Sequence, residues 1–288
     1  MTVMANSISP ADPTIKPVRV PEVRRIDFSF PDEIPEFWFD NDPLRTVLFY
    51  SMSGSFPEGE RFFIDSVRHY QKEITDPELK TAVRGFIGQE AHHAKEHTAL
   101  NAFIERRGYP VSKIDRAVGK AMAFFRKHLS PERQLAHTVA IEHFTALFAE
   151  RLLMENDELS KMDPRMAPIW AWHAVEESEH KAVAFDVYKT VVNNEWIRCS
   201  QMVIASLLFI TFSSLDFLRL MRHSGHMMDI RMWLRGINYF WGKPGVFRKL
   251  IRPYLAFYRR DFHPWQHDST EMLEFTKRKY LAGLATNS

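Results

Sequence analysis

The sequence predicts an all-α protein, a four-helix bundle with additional C-terminal helices. Three observations carry this. Apolar residues recur at helical spacing along most of the chain, and strand-like alternation is nearly absent. Glycine is scarce, at 11 of 288 residues, which argues against the frequent tight turns of a β-sandwich. Start signals containing proline (Asp76-Pro77, Ser130-Pro131-Glu132, Asp163-Pro164) stand before long periodic runs. Proline suits the first helical turn, where its missing N–H would have had no partner.

The elements follow in order. Residues 1–25 carry Pro10, Pro13, Pro17 and Pro21 with no apolar run, and read as a loose N-terminal arm rather than a secretory signal. Asn41-Asp42-Pro43 opens a short helix over 43–53, and Gly54–Gly59 reads as a turn into a helix over 58–74. A long helix over 77–106 stops at Gly108-Tyr109-Pro110 and is followed by one over 113–128. Further long helices span 131–155 and 164–193. Four helices of 17 to 30 residues between 58 and 193, joined by short connections, suggest a bundle, with residues 26–195 as the metal-binding unit. Residues 196–288 form a helical extension packed on it. It comprises an apolar helix over 198–222, a glycine-punctuated stretch over 225–245, a helix over 245–259, the loop Phe262-His263-Pro264-Trp265 and a last helix over 269–282.

Composition excludes several functions. Cys199 is the sole cysteine, so an internal disulfide framework, a thiolate zinc finger and a Cys-x-x-Cys redox site are ruled out. Any metal must be held by His, Asp or Glu. The net charge of +2 is too small to mark a nucleic-acid binder, and no nucleic-acid partner is expected. Residues 196–288 nonetheless hold 14 Lys+Arg against 6 Asp+Glu, which predicts a basic surface there. The run Met202–Leu215 is 14 residues long, short of the roughly 20 a spanning helix needs. It reads as a buried helix first and a membrane-docking helix second. The expected location is cytoplasmic, peripheral to the inner membrane face if that helix docks.

The chemistry sits on the long helices. Each residue turns about 100° around a helix axis, so Val83, Phe86, Glu90, Ala94 and His97 share a stripe that His93 flanks. Glu90 and His93, three apart, project to one side. In the helix over 164–193, Glu177 and His180 repeat that spacing and His173 lies one turn earlier. Glu176 is a rival to Glu177, since it also borders the apolar stripe. Glu142 sits among Leu135, Val139, Ala146 and Leu153, and Glu60 shares a face with Phe63, Ile64 and Val67. Taken singly, each has an ordinary reading: Glu60 favours a helix dipole, and Glu142 pairs with an arginine such as Arg84. Together they give one Glu from each of two helices and Glu-x-x-His from each of two others. That is the di-iron or di-manganese set of ferritin-like bundles. The ligands predicted from this pattern are Glu60, Glu90, His93, Glu142, Glu177 and His180, holding two Fe ions, with Mn as the other metal that oxygen and nitrogen donors suit. His97 is expected beside the ligands rather than among them, His92 at the surface and His263 in a structural role.

Beyond the ligand set, Phe56-Pro57-x-Gly59-Glu60, Gln89-Glu90-x-x-His93-x-x-x-His97, His173-x-x-Glu176-Glu177-x-Glu179-His180-Lys181 and Phe262-His263-Pro264-Trp265 resemble a bacterial family of predicted metal-dependent hydrolases over about residues 20–270. The spacing His173-x3-Glu177-x2-His180 also resembles the ligand pattern of di-iron arylamine N-oxygenases, which implies His173 as a third imidazole.

Two activities are expected from these residues. The main reading is a di-iron oxidase or oxygenase that activates O2 to oxidise a hydrophobic or acyl-like small molecule. The alternative is a metal-dependent hydrolase using a metal-bound hydroxide. A radical-generating subunit, with Tyr70 or Tyr188 near the metals, is a third. No Gly-x-Gly-x-x-Gly motif is present, so the oxidative reading calls for an electron-donor protein. Self-association as a homodimer and contact with a membrane surface complete the expected partners.

Overall fold

A computed structural model describes residues 19–154 and 158–284. It is all-helical. Among the described residues the only β-type pairing is an isolated bridge between Phe39 and Met162.

The first helix, α1, is Pro43–His69, which merges the two predicted segments 43–53 and 58–74 into one and ends five residues sooner. Asp42 caps it, accepting from the Leu44 and Arg45 amides at 2.8 and 3.1 Å. Pro57 lies inside the helix, where it leaves the carbonyl four residues back without its N–H partner. That carbonyl, on Ser53, instead accepts from Asn101 Nδ2 of the neighbouring helix at 3.0 Å. Gly54 is not a turn either. A Cβ there would lie 3.3 Å from Ile114, so the missing side chain lets the helix that carries Ile114 approach closely. The predicted break was in fact a packing seam.

Three elements match closely: α2 (Pro77–Arg106, capped by Asp76), α3 (Val111–His128) and α4 (Pro131–Met154). The predicted helix 164–193 is broken. It forms α5 (Ala167–His180) and α6 (Val183–Val191), and the buried Lys181 at the break reaches Glu150 of α4. Downstream come α7 (Glu195–Met221), α8 (Ile230–Trp241) and α9 (Val246–Ala256). They are followed by α10 (Thr270–Thr276), which passes into a π-helical turn over Lys277–Leu281. The helix α8 lies within the stretch that read only as glycine-punctuated. Its Gly236 faces α1, where an added Cβ would come 2.5 Å from Leu44 Cδ1.

α1 packs on α2 and α4, and α5 on α4 and α2. Two apolar clusters fill the space between them. One gathers Val47, Tyr50, Leu100, Phe103, Trp170 and Trp172; the other gathers Phe62, Val67, Val83, Phe86, Val139 and Tyr188. Each of α1, α2 and the α5–α6 pair runs from one cluster to the other, and the predicted ligands fall at the crossing. In the C-terminal part, α7 lies along α4 and α1, α8 on α1 and α9 on α4. Arg198 of α7, almost fully buried, donates to the carbonyls of Phe257 and Arg259 and so ties α7 to the end of α9.

Residues 1–18 of the predicted arm, and 285–288, lie outside the described residues. Residues 19–25 are not loose. Pro21 and Val23 press against Gly85 and Gly88 of α2, where a Cβ would meet Pro21 O at 2.5 Å and Val23 Cγ2 at 2.6 Å. Two glycines at this spacing make a seat on the helix for an extended segment.

Candidate metal centre

All seven predicted residues come together in the interior. Glu60, Glu90, His93, Glu142, Glu177 and His180 are at most 3% exposed, and His173 is 6% exposed. Two groups of donor atoms lie close enough to hold an ion each: Glu60, His93 and His173, and Glu90, Glu177 and His180. Glu142 Oε2 joins the second at 3.4 Å from His180 Nε2. Glu177 spans both groups. Its Oε1 is 3.4 Å from His93 Nδ1 and 3.6 Å from His173 Nε2, and its Oε2 is 3.6 Å from His180 Nε2.

These donors are otherwise unsatisfied. Among the described residues, no carboxylate oxygen of Glu60, Glu90 or Glu142 and neither ring nitrogen of His93 has a hydrogen-bond partner. His180 Nε2 lies 3.1 Å from Glu90 Oε1, yet that approach is not a hydrogen bond. Orphaned polar atoms in an apolar core cost several kcal/mol unless something binds them. Oxygen and imidazole donors without thiolate suit a divalent first-row metal, so the residues fit the expected group.

Surrounding contacts orient the imidazoles, as they do in most metal sites. His180 Nδ1 is 2.8 Å from Gln89 Oε1, and the Gln89 amide nitrogen is bound by Glu22 O and Glu179 Oε2. Gln89 therefore accepts, His180 donates from Nδ1, and Nε2 is left to face Glu90 and Glu142. A second chain acts on His173. Asn101 donates from Nδ2 to Ser53 O, which leaves its Oδ1 to accept from Ser53 Oγ at 2.8 Å. Ser53 Oγ then accepts from His97 Nδ1 at 3.0 Å, and His97 Nε2 accepts from His173 Nδ1 at 3.1 Å. The His173 Nε2 lone pair is thereby directed at Glu177. Phe56 stacks on the His173 ring at 4.7 Å, and Trp172 meets the His93 ring edge-on at 4.8 Å.

Glu176 and Glu177 are placed differently. Glu176 Oε1 accepts from the Arg24 backbone and guanidinium at 3.2 and 3.4 Å, and its Oε2 stands 3.2 Å from His93 Nε2. It lies on the outer side of His93, while Glu177 points between the two groups. Glu142 does not pair with Arg84, which bonds instead to Thr81. The Tyr188 hydroxyl donates to the Asn194 carbonyl, away from the site.

The cluster's electrostatics reflect too many carboxylates in one dry space. Burial pushes the Glu142 carboxyl up to about 8, with Glu90 adding to the effect. Burial likewise raises Glu60 and Glu90. For His93 and His180 burial disfavours the charged ring, but the facing carboxylates outweigh it and hold both well above the usual histidine value. Glu177 is held well below its ordinary value because the imidazoles around it outweigh its own burial. Burial takes His173 down to about 3 and His97 well below normal, so both are neutral, as their hydrogen-bond chain requires. The interior calls for positive charge, which protons supply only in part.

Gln89, Arg24, Ser53, Asn101, Trp170 and Trp172 are the residues whose roles sequence reasoning missed. Gln89 had a signal, standing beside Glu90 in the motif. Arg24 had none, because it reaches Glu176 across 152 positions of chain. A third possible metal group, Asp27, His92 and Glu96, lies at the edge of α2, where Lys95 already sits against both acids.

The described fold and site thus define an all-helical chain with buried Glu/His clusters able to hold metal. Residues 22–268 match the family of predicted metal-dependent hydrolases, and the chain belongs to that family. The family's description is that of a metal-dependent enzyme, and it agrees with the hydrolytic alternative rather than with the oxidative reading. No curated protein and no solved structure matches the chain significantly.

Proposed function

We propose that the chain is a ferritin-like four-helix bundle whose α1, α2, α4 and α5 hold two metal ions, Fe or Mn, and that it oxidises an apolar small molecule with O2. The ligands are Glu60, Glu90, His93, Glu142, Glu177, His180 and His173. The observation that supports this most is the convergence of four carboxylates and three imidazoles with orphaned donor atoms inside an apolar core. Such a metal pair, when bound, supplies the activation of O2. The chain's own residues do the rest. Gln89 and His97 fix the tautomers of His180 and His173, Glu176 and Arg24 brace His93, and Trp170, Trp172 and Phe56 keep water from the rings. Electrons come from a partner protein.

Burial supports the oxidative reading, because a dry interior limits side reactions with water. Two cavities of about 260 and 710 Å³ open beside Arg45 and Arg107, and neither is lined by a proposed ligand. The second reading, hydrolysis by a dinuclear metal centre, is favoured by the family's description.

One experiment separates them. The purified chain is loaded anaerobically with Fe(II), its metal content measured, and O2 uptake followed on mixing with air-saturated buffer. The oxidative reading expects about two ions per chain and O2 uptake that depends on Glu142. Ester or phosphoester hydrolysis with Mn or Zn, without O2 uptake, overturns that reading in favour of the second.

A further inference from the structure

The C-terminal helices present a surface that the metal centre does not explain. α7 contains an 18-residue window of mean hydropathy 1.7, of which only 22% is buried. Its inner side is committed to the bundle through Arg198, Gln201, Met202, Ala205 and Asp216. Its outer side leaves Leu207 and Ile210 at least 60% exposed. On α8 the pattern is sharper. Ile230, Leu234, Ile237 and Trp241 follow an i, i+4, i+7, i+11 spacing, which is a single stripe, and all four are more than half exposed. On α9, Ile251 and Leu255 are one turn apart and also exposed.

The three helices are neighbours. Phe217 of α7 meets Trp233 of α8, Phe240 of α8 stacks on Phe247 of α9, and Ser206 of α7 bonds to Tyr254 of α9 at 2.9 Å. Their exposed apolar residues therefore belong to one region. A monomeric surface seldom leaves so many large apolar residues of neighbouring helices uncovered. The charge beside it is one-sided. Residues 196–260 hold 11 Lys+Arg and only Asp216 and Asp229 as acids. Helical turning places Arg231 and Arg235 beside the α8 stripe, and Arg248 and Arg252 beside the α9 pair. An apolar stripe flanked by cations is the pattern of a helix lying in a bilayer interface, apolar side among acyl chains and basic side among anionic headgroups.

We propose that α7, α8 and α9 form a docking face for an anionic phospholipid bilayer, entered from one side and not spanned. A span by α7 would have to strip its inner side from α4 and α1 and place Arg198 and Asp216 in hydrocarbon. This inference does not depend on what the metal centre does.

The test uses the full chain and two sets of vesicles, phosphatidylcholine alone and phosphatidylcholine mixed with phosphatidylglycerol, in a sedimentation assay. Binding to the anionic vesicles is expected, falling as salt is raised. Leu234→Asp with Ile237→Asp should weaken it roughly tenfold or more, and Arg231→Gln with Arg252→Gln roughly tenfold. Because these side chains are exposed, the variants should keep the parent's helical circular dichroism and metal content. A variant that does not is replaced by the charge pair alone. Three results overturn the proposal. One is no binding to either vesicle by the folded chain. Another is a stable dimer in lipid-free solution that the Leu234 and Ile237 changes dissociate, which gives the face to a second copy. The last is retention in membranes after an alkaline carbonate wash, which means a span.

Discussion

Around Glu177, polar groups are buried in an apolar core without partners; on the outer faces of α7 and α8, apolar groups stand in the open without cover. Both regions depart from the usual partition of side chains, in opposite senses, and each departure is local and organised. The carboxylates and imidazoles converge from four helices on a small volume, and the supporting contacts of Gln89, His97 and Glu176 hold them aimed inward. The apolar stripe of α8 repeats every turn and is bordered by cations. Misfolding or poor packing would scatter such features. Their order is what the two proposals build on, a bound cation in one case and a bilayer surface in the other.

The comparison can be broken most severely at the core. Glu177→Ala, which removes the group common to both donor sets, should drop metal content from about two ions per chain to below one. Undiminished metal by elemental analysis would sink the ligand assignment. Trp172→Ala removes a fully buried ring that covers His93, and should cost about 3–5 kcal/mol in urea unfolding. A cost under about 1 kcal/mol would mean that the ring does not seal the site.

Titration sharpens the contrast. The folded pKa of Glu142 is about 8 against an ordinary 4.5, so between those values the folded chain keeps a proton that the unfolded chain releases. Stability of the metal-free protein therefore falls as pH rises through that window. Glu142→Gln stays neutral. Metal-free, it should match the parent near pH ~5 and exceed it by roughly 2–4 kcal/mol near pH ~8. A difference independent of pH would contradict the burial of that charge. The contact between α4 and the C-terminal helices responds the other way. His143, facing the Pro253 carbonyl and packed on Phe257 and Phe262, is lowered by burial to about 4. Its contribution is present above the unfolded value of 6.5 and is lost as pH falls toward 4. Hydrogen exchange should show α9 loosening on acidification.

Smaller effects follow. Ser53→Ala leaves His97 and Asn101 without their shared hydroxyl and should cost about 1–3 kcal/mol. Leu234→Asp, on an exposed position, should change stability by no more than about 0.5 kcal/mol in lipid-free buffer. A larger loss would show that this residue is covered in solution.

The sequence by itself determined helix type, most helix starts and the seven converging residues. The helices rest on local rules, capping by Asp42 and Asp76 and helical spacing of apolar residues, while the residue set rests on Glu-x-x-His on one face matched to a known ligand pattern. Three of its misplaced breaks share one cause. Gly54, Pro57 and Gly236 are local signals for breaks, yet each stands inside a helix because a neighbouring helix uses the missing side chain or the freed carbonyl. Only the tertiary structure decided that Glu177 points between the donor groups while Glu176 is taken by Arg24, because that choice depends on a residue more than a hundred positions away. It also decided that α7 turns an apolar side outward. Hydrophobic periodicity identifies a face, whereas the packing of α4 and α1 determines which face is covered.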